Sequence, residues 1–391
     1  MYKITAIIPA YNAELFIEAA LSSVFEQTYS VDEIIVVNDC SQDDTSKVVN
    51  ELSSLHENIH VYSLGKNKGV SYARNFGLAK ARNNWILFLD ADDVLEPNIV
   101  EKANAYLENS DDLSKLAMIH TSYKQIDIEG NIFDGIIKGK ELKQGEAFGE
   151  LLVRNQIITP SGLLLNKEFV LKYGNFNEKL SSKNEDWDLW LRLSQFGDIG
   201  YIDEPLVRVR RHNSNATRVL NVVVAGSPEQ TILDQYNLDV IRAAILCRSY
   251  SKVKNILDYV SMLYRFQKWR EGVIELEQLV SEDVKEKSSI LFLKAVYFLH
   301  NEQFEASKSL FEQILKITPQ HGASLNNLAV LNAMNSNFLQ AKHLLESALD
   351  LNPNYMDAII NMRLLHTDGE FRNSYRFTLR ELRPVLLSYE G

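Results

Sequence analysis

Cysteine, proline and glycine are all scarce in this chain of 391 residues, which carries 2 Cys, 8 Pro and 17 Gly. Two thiols, Cys40 and Cys247, cannot build a disulfide framework, and neither sits in a metal-ligand spacing, so both read as reduced thiols. So little glycine and proline excludes collagen-like and long low-complexity readings. Long apolar runs are missing as well: stretches such as Trp85 to Leu89 and Val222 to Ala225 are far short of a membrane span. The start of the chain, Ile4-Thr5-Ala6-Ile7-Ile8, lacks the basic flank and cleavage site of a signal peptide. The expectation is a soluble, cytoplasmic protein. An excess of basic charge is also absent. Lys+Arg number 41 against 52 Asp+Glu, a net charge of −11, which argues against nucleic-acid binding and against docking on an anionic membrane.

What is present is an ordinary globular composition, 46% hydrophobic and 24% charged, over a length that suggests two to three domains. Strand-like runs at Ile4–Pro9, Glu33–Val37, Ile59–Tyr62 and Trp85–Leu89 alternate with helical patterns at Glu14–Phe25, Asp43–Leu52 and Tyr72–Arg82. Such alternation predicts an α/β domain with a mostly parallel sheet, and sheets of that kind place ligands beyond the carboxyl ends of their strands. From Leu116 to His212 the pattern becomes irregular, with short strands expected at Leu116–His120, Ile132–Ile137, Gly162–Leu165 and Leu206–Val209. The stretch 219–230 reads as a linker, dividing an α/β domain over 1–218 from an all-helical domain over 231–391.

The helical half carries a period. Phe304, Ser307, Phe311, Ile314 and Pro319 match Phe338, Ala341, Leu345, Ala348 and Pro353 at a spacing of 34 residues, with Ala295 and Ala329 in the same register. Trp269, Gly272 and Leu276 form a looser copy. The pattern resembles tetratricopeptide (TPR) repeats and implies about three helix pairs with a capping segment near Phe371–Leu387. Asn326, Asn327 and Asn361 are expected as exposed polar residues on its concave face.

The strand ends carry the chemistry. The first leads into Pro9-Ala10-Tyr11-Asn12-Ala13-Glu14, the second into Asp39-Cys40-Ser41-Gln42-Asp43. Next come Asn67-Lys68-Gly69-Val70-Ser71-Tyr72-Ala73-Arg74-Asn75-Phe76-Gly77 and Asp90-Ala91-Asp92. Asn184-Glu185-Asp186-Trp187 opens a later helix, and Arg210-Arg211-His212 closes the domain. This ordered set, over roughly residues 3–215, resembles glycosyltransferase family 2 and implies the GT-A fold and an inverting hexosyltransferase. A Pro-Ala-Tyr-Asn strand end, in place of a Gly-rich loop, disfavours a nucleotidyltransferase.

The resemblance implies roles. Pro9, Ala10, Tyr11, Asn12, Glu14, Asp39, Asn67, Gly69, Arg74, Asp90, Ala91, Asp92, Arg210 and Trp187 would contact a nucleotide-sugar, with Asp39 accepting from the base and Trp187 offering a sugar platform together with Trp190. Asp186 would be the catalytic base, with Glu185 as the alternative, because an acceptor hydroxyl attacks well only as a carboxylate takes its proton. Asp92 and His212 would ligate Mn²⁺ or Mg²⁺, hard cations suited to carboxylate and diphosphate. The expected donor is a UDP-sugar, with UDP-GlcNAc ahead of UDP-glucose and UDP-galactose. The architecture resembles bacterial protein O-glycosyltransferases such as those modifying flagellin, with the repeats recruiting the protein acceptor. Self-association and an assembly factor are the other partners open to such an array. The rival readings are a polysaccharide or glycolipid glycosyltransferase with assembly repeats, and a non-catalytic scaffold.

Overall fold

The computed structural model describes residues 1–133, 135–180, 184–212, 228–365 and 374–382. The chain divides into two compact units, Met1–Arg248 and Ser249–Gly391.

The first unit opens with four strands, β1 (Ile4–Ala10), β2 (Glu33–Asn38), β3 (Ile59–Ser63) and β4 (Trp85–Phe88), separated by helices α1 (Ile17–Phe25), α2 (Thr45–Ser53) and α3 (Val70–Lys80). These are the strands and helices expected from the alternation. The second half adds β5 (Val94–Leu95), α4 (Ile99–Glu108), β6 (Leu116–Ile126), α5 (Ala147–Val153), β7 (Leu164–Asn166), α6 (Lys167–Tyr173), α7 (Glu185–Ser194), β8 (Asp198–Arg210), α8 (Pro228–Gln235) and α9 (Leu238–Leu246). Among the described residues the eight strands form one sheet in the order β3-β2-β1-β4-β7-β6-β8-β5. Strands β1 to β4 are mutually parallel, while β7 runs antiparallel to both β4 and β6.

Every residue of β1 and β2 is buried, as a parallel strand covered on both faces requires. Helix α3 lies close on this layer: a Cβ at Gly77 would stand 2.6 Å from Ile7 Cγ2. Because the chain leaves β1 toward β2 on one side and returns to β4 on the other, β1 and β4 flank the point where strand order reverses. That crevice is where a sheet of this kind binds ligands.

The sequence pattern caught only Leu206–Val209 of the thirteen-residue β8. Gly200, Asp203, Glu204 and Pro205 interrupt its apolar run, and the register against β6 shifts around Thr121–Tyr123 where Pro205 pairs. Ile132 and Ile137, expected within a strand, make only isolated bridges. The first unit also extends past the expected boundary. Ile241 and Ile245 of α9 are fully buried, and a Cβ at Gly149 on α5 would lie 2.0 Å from Ala244 O. Helices α8 and α9 follow the expected linker as helical patterns, and the sequence places the boundary where such patterns begin. Most of the expected linker, 219–227, lies outside the described residues, as do 371–373 and 383–387 of the expected cap.

The second unit consists of α10 (Lys252–Arg265), α11 (Trp269–Glu277), α12 (Val284–His300), α13 (Phe304–Ile317), α14 (Gly322–Met334), α15 (Phe338–Leu351) and α16 (Met356–Leu365). The first six form three hairpins, each turning through one residue of positive φ: Gln267 (59°), Glu302 (57°) and Ser336 (63°). Each turn closes with the same backbone bonds, including Lys268 N to Leu263 O, Gln303 N to Phe298 O and Asn337 N to Asn332 O at 2.8–2.9 Å. The periodic residues form the seam. Ser307, Phe311 and Ile314 are the buried residues of α13, and Ala341, Leu345 and Ala348 are buried at the matching positions of α15. Gly272 fills the small-residue position of the first copy, where a Cβ would meet Tyr264 at 2.4 Å. One expectation fails here. Asn326, Asn327 and Asn361 are not exposed: each is 0% accessible and bonded to residues 376–378 of the same chain. Among the described residues no helix is long and apolar enough to cross a membrane.

Candidate active site

The loops beyond β1, β2 and β4 share one edge of the sheet and bring together most of the residues singled out by sequence. Pro9 and Ala10 are buried where β1 ends, and Tyr11 stands 49% exposed beyond them. Asn12 takes a positive φ of 49°, which asparagine tolerates, and its Oδ1 accepts from the Gln42 amide at 2.8 Å. Glu14 Oε2 accepts from the Asp44 amide at 2.9 Å, while the Glu14 amide donates to Asp43 Oδ2 at 3.1 Å. The side chains of Asn12 and Glu14 thus clamp the turn after β1 to the turn after β2. Asp39 is 3% exposed and accepts from the amides of Lys68 and Gly69, both at 2.7 Å, so it fixes the loop before α3. Gly69, at φ +88°, is the residue before α3, and Asn67 is exposed two positions earlier.

Arg74 is the hub. Its guanidinium is 3% exposed and donates to Asp90 Oδ1 at 2.7 Å and Glu185 Oε1 at 2.9 Å, joining the end of β4 to the start of α7. Burial works against its charge, but Asp90 and Glu185 outweigh burial and hold it even more firmly protonated than a free arginine. Among the described residues Arg74 Nε and Glu185 Oε2 are buried without a hydrogen-bond partner, orphaned polar atoms that another group could satisfy.

Three aspartates crowd the loop after β4. The amide of Asp90 donates to Ser161 Oγ at 3.0 Å, and Ser161 in turn donates to Asp93 Oδ2 at 2.5 Å. Burial and the charge of Asp90 push Asp92 up, against the pull of His212. Burial, then Asp92 and Asp90, push Asp93 well up. His212 Nε2 lies 2.9 Å from Asp92 Oδ2, and its ring stacks on Phe16 at 4.9 Å. Ala91 is buried between the two aspartates. Arg210 is spent on scaffolding: its amide donates to Asp93 Oδ1, its Nε to Asp92 O, and its Nη1 to the carbonyls of Asp127 and Ile128.

At the start of α7, Asp186 Oδ1 accepts from the Trp187 amide at 2.6 Å. A helix N-terminus and Arg74 both favour its charge, yet burial, followed by the charge of Glu185, outweighs them and pushes Asp186 up to about 7. Trp187 corrects an expectation. It is 8% exposed with Nε1 donating to Leu151 O at 2.9 Å, and Trp190 is fully buried, so neither offers a ring face to a sugar. Sequence reasoning also missed Asp93 and Ser161. A third acidic residue directly after Asp92 was a readable signal for the first, whereas nothing in the sequence marks Ser161.

A carboxylate and an imidazole side by side, in a cluster where neighbouring carboxyls resist ionisation, are donors suited to a divalent cation. Among the described residues no three His, Cys, Asp or Glu side chains form a complete ligand set, so further ligands would come from diphosphate and water.

Residues 5–156 match glycosyl transferase family 2. An uncharacterized glycosyltransferase of Haemophilus influenzae is 31% identical over 227 residues, which cover 56% of this chain and 68% of that protein. Chondroitin synthase of Escherichia coli is 29% identical over 64% of this chain, which spans 36% of that protein's length. Among solved structures, S. aureus TarS 1–349 in complex with UDP-GlcNAc aligns over 94% of this chain and 93% of its own, at 16% identity and a TM-score of 0.49. With the loops of its first unit carrying the motifs and a relative of this identity matched over two thirds of its length, the chain belongs to glycosyltransferase family 2.

Proposed function

We propose that the protein is a metal-dependent, inverting hexosyltransferase that moves a sugar from a UDP-sugar, UDP-GlcNAc first among the candidates, to a hydroxyl of a polypeptide held by TPR-like repeats. The observation that carries the proposal is Asp186, a carboxyl pushed up to about 7 beside an ion-paired Glu185. A general base works best with a pKa near the operating pH. Arg74 engages Asp90 and Glu185, which leaves Asp186 as the carboxyl to take the acceptor's proton as its oxygen attacks the anomeric carbon. One such displacement inverts the configuration. Asp39 holds the loop of Lys68 and Gly69 and keeps lone-pair capacity to accept from the N3–H of uracil. Asp92 and His212 would hold Mn²⁺ or Mg²⁺, with Asp90 adding negative charge nearby. Bound there, the cation supplies Lewis-acid stabilisation of the leaving diphosphate.

The repeats support a polypeptide acceptor, of the flagellin type that the architecture resembles, because stacked helix pairs form extended binding surfaces. The similarity to chondroitin synthase favours a second reading, transfer to a growing polysaccharide. The test is a screen of UDP-sugars for UDP release by the full chain in Mn²⁺ and in EDTA, followed by mass spectrometry of acceptors. Polypeptides should gain a hexose-type mass only with metal present. Transfer to oligosaccharides and never to polypeptides would support the second reading instead.

A further inference from the structure

Three of the buried asparagines of the repeats, Asn326, Asn327 and Asn361, bind an extended segment of main chain. Asn327 Nδ2 donates to Thr378 O at 2.8 Å while its Oδ1 accepts from Thr378 N at 2.7 Å. Asn361 repeats the pair on Arg376: Nδ2 donates to Arg376 O at 2.8 Å, and Oδ1 accepts from Arg376 N at 2.7 Å. Asn326 lies between them. Its Nδ2 donates to Arg376 O and Thr378 Oγ1, and its Oδ1 accepts from Asn361. Asn327 and Asn361 are 34 residues apart, the repeat period, and their targets are two residues apart, the distance between like-facing residues of an extended chain. Each amide presents one donor and one acceptor, as a neighbouring β-strand would.

One side chain of the bound segment is read as well. Thr378 is 4% exposed, and its hydroxyl donates to Asp357 Oδ2 at 2.7 Å and is shared with Tyr355 OH. The other side chains of the segment are divided: Ser374, Arg376, Leu379 and Arg380 are exposed, whereas Glu381 lies 3.6 Å from His321 Nε2 and Leu382 would crowd a Cβ at Gly322. Where it crosses the asparagines the segment is held by main chain and one hydroxyl, features shared by any extended polypeptide with Ser or Thr at the right place.

We propose that the asparagine-lined groove is a polypeptide-binding site, occupied in cis by residues 374–382, and that its partner is an extended Ser- or Thr-containing segment of another protein that displaces them. The proposal rests on the reading that the repeats recruit a polypeptide, and its test reads binding alone, so sugar transfer can fail while the groove stands, or the reverse.

The probe is a fluorescein-labelled synthetic peptide with the sequence of residues 374–382, added to the full-length chain. Wild type should bind it weakly, because the tethered segment competes at an effective concentration of roughly millimolar. Thr378→Pro removes the N–H that Asn327 accepts and the hydroxyl, so the full-length variant should bind the peptide about tenfold or more tightly. Adding Asn327→Ala should abolish that gain, and a peptide carrying Thr378→Pro should not bind. Equal binding by wild type and the Thr378→Pro chain, with helix content unchanged, would overturn the proposal. So would undiminished binding of the proline peptide. Should the variant not fold, hydrogen exchange on the wild type decides: excess peptide should accelerate exchange at the Arg376 and Thr378 amides, and no acceleration overturns the proposal. A dimer in light scattering that Thr378→Pro dissolves would overturn occupation in cis.

Discussion

At the carboxyl edge of the sheet, Asp90, Glu185 and Asp186 crowd around the buried Arg74, and Asp92 and Asp93 follow beside the buried Arg210. In the repeat groove, Asn326, Asn327 and Asn361 are at least as buried but carry no charge, and every one has main-chain or side-chain partners. The first cluster shows its incompleteness in raised carboxyl pKa values and in unpartnered Arg74 Nε and Glu185 Oε2. The second is saturated. Burial of polar groups therefore means different things in the two units. Excess like charge held in place by packing marks a site that chemistry will complete. Neutral amides matched pair by pair mark a surface already covered by its occupant.

The comparison is broken most severely at Asp186. Asp186→Asn should leave UDP-sugar binding about unchanged, measured by calorimetry, and slow transfer by roughly 10²–10⁴-fold, because the proton acceptor is lost. Glu185→Gln should be milder, as its carboxylate serves Arg74; a reversal of the two would move the base by one residue. Next comes Arg74→Met, which strands Glu185 as a buried charge and Asp90 as a half-buried one. Chemical denaturation of the first unit should show a loss of about 3–5 kcal/mol. The Asn327→Ala variant, in a neutral network, should cost only about 1–3 kcal/mol in the second unit.

A smaller effect separates the two clusters by pH. The folded pKa of Asp186, about 7, lies above its ordinary value near 3.8, so the folded state binds the extra proton between those values. Its contribution to stability is therefore undiminished below about pH 4 and falls as pH rises through 7. Asp186→Asn should stabilise the protein by about 1–3 kcal/mol at pH 8 and by nothing at pH 4, while transfer by the wild type climbs as pH passes about 7. The asparagine groove should show no such dependence. An effect of similar size, about 1–3 kcal/mol, is expected from Ala329→Leu, which overpacks the seam of α14 without touching either cluster.

Much of this was legible in the residues themselves. Strands β1, β2 and β4 announce themselves because parallel strands buried on both faces are continuous apolar runs, and the acidic and asparagine-bearing turns follow them directly. The repeat seam was legible because Ser307 and Ala341 must be small where helices meet. The partnerships were not. Arg74 is expected beside a nucleotide, and its further role as a bridge to Glu185, 111 residues away, is one no local pattern reveals. Asn326, Asn327 and Asn361 read as solvated surface because polar residues on a helix usually are; only a chain segment folded back on them makes their burial tolerable. Trp187 was read as a platform from its place beside Asp186, but a helix of this amphipathicity turns that position inward to Leu151.

The pairing of Asn361 with Arg376 and Asn327 with Thr378 turns the repeat array into a ruler. One step along the repeats advances two residues along the bound strand, about 6.6–6.8 Å, and the strand runs opposite in direction to the repeats. Leu293 occupies the equivalent position one repeat earlier and has no amide to offer. The graduations therefore stop at two, and Leu293→Asn would add a third mark, reaching for the main chain of residue 380.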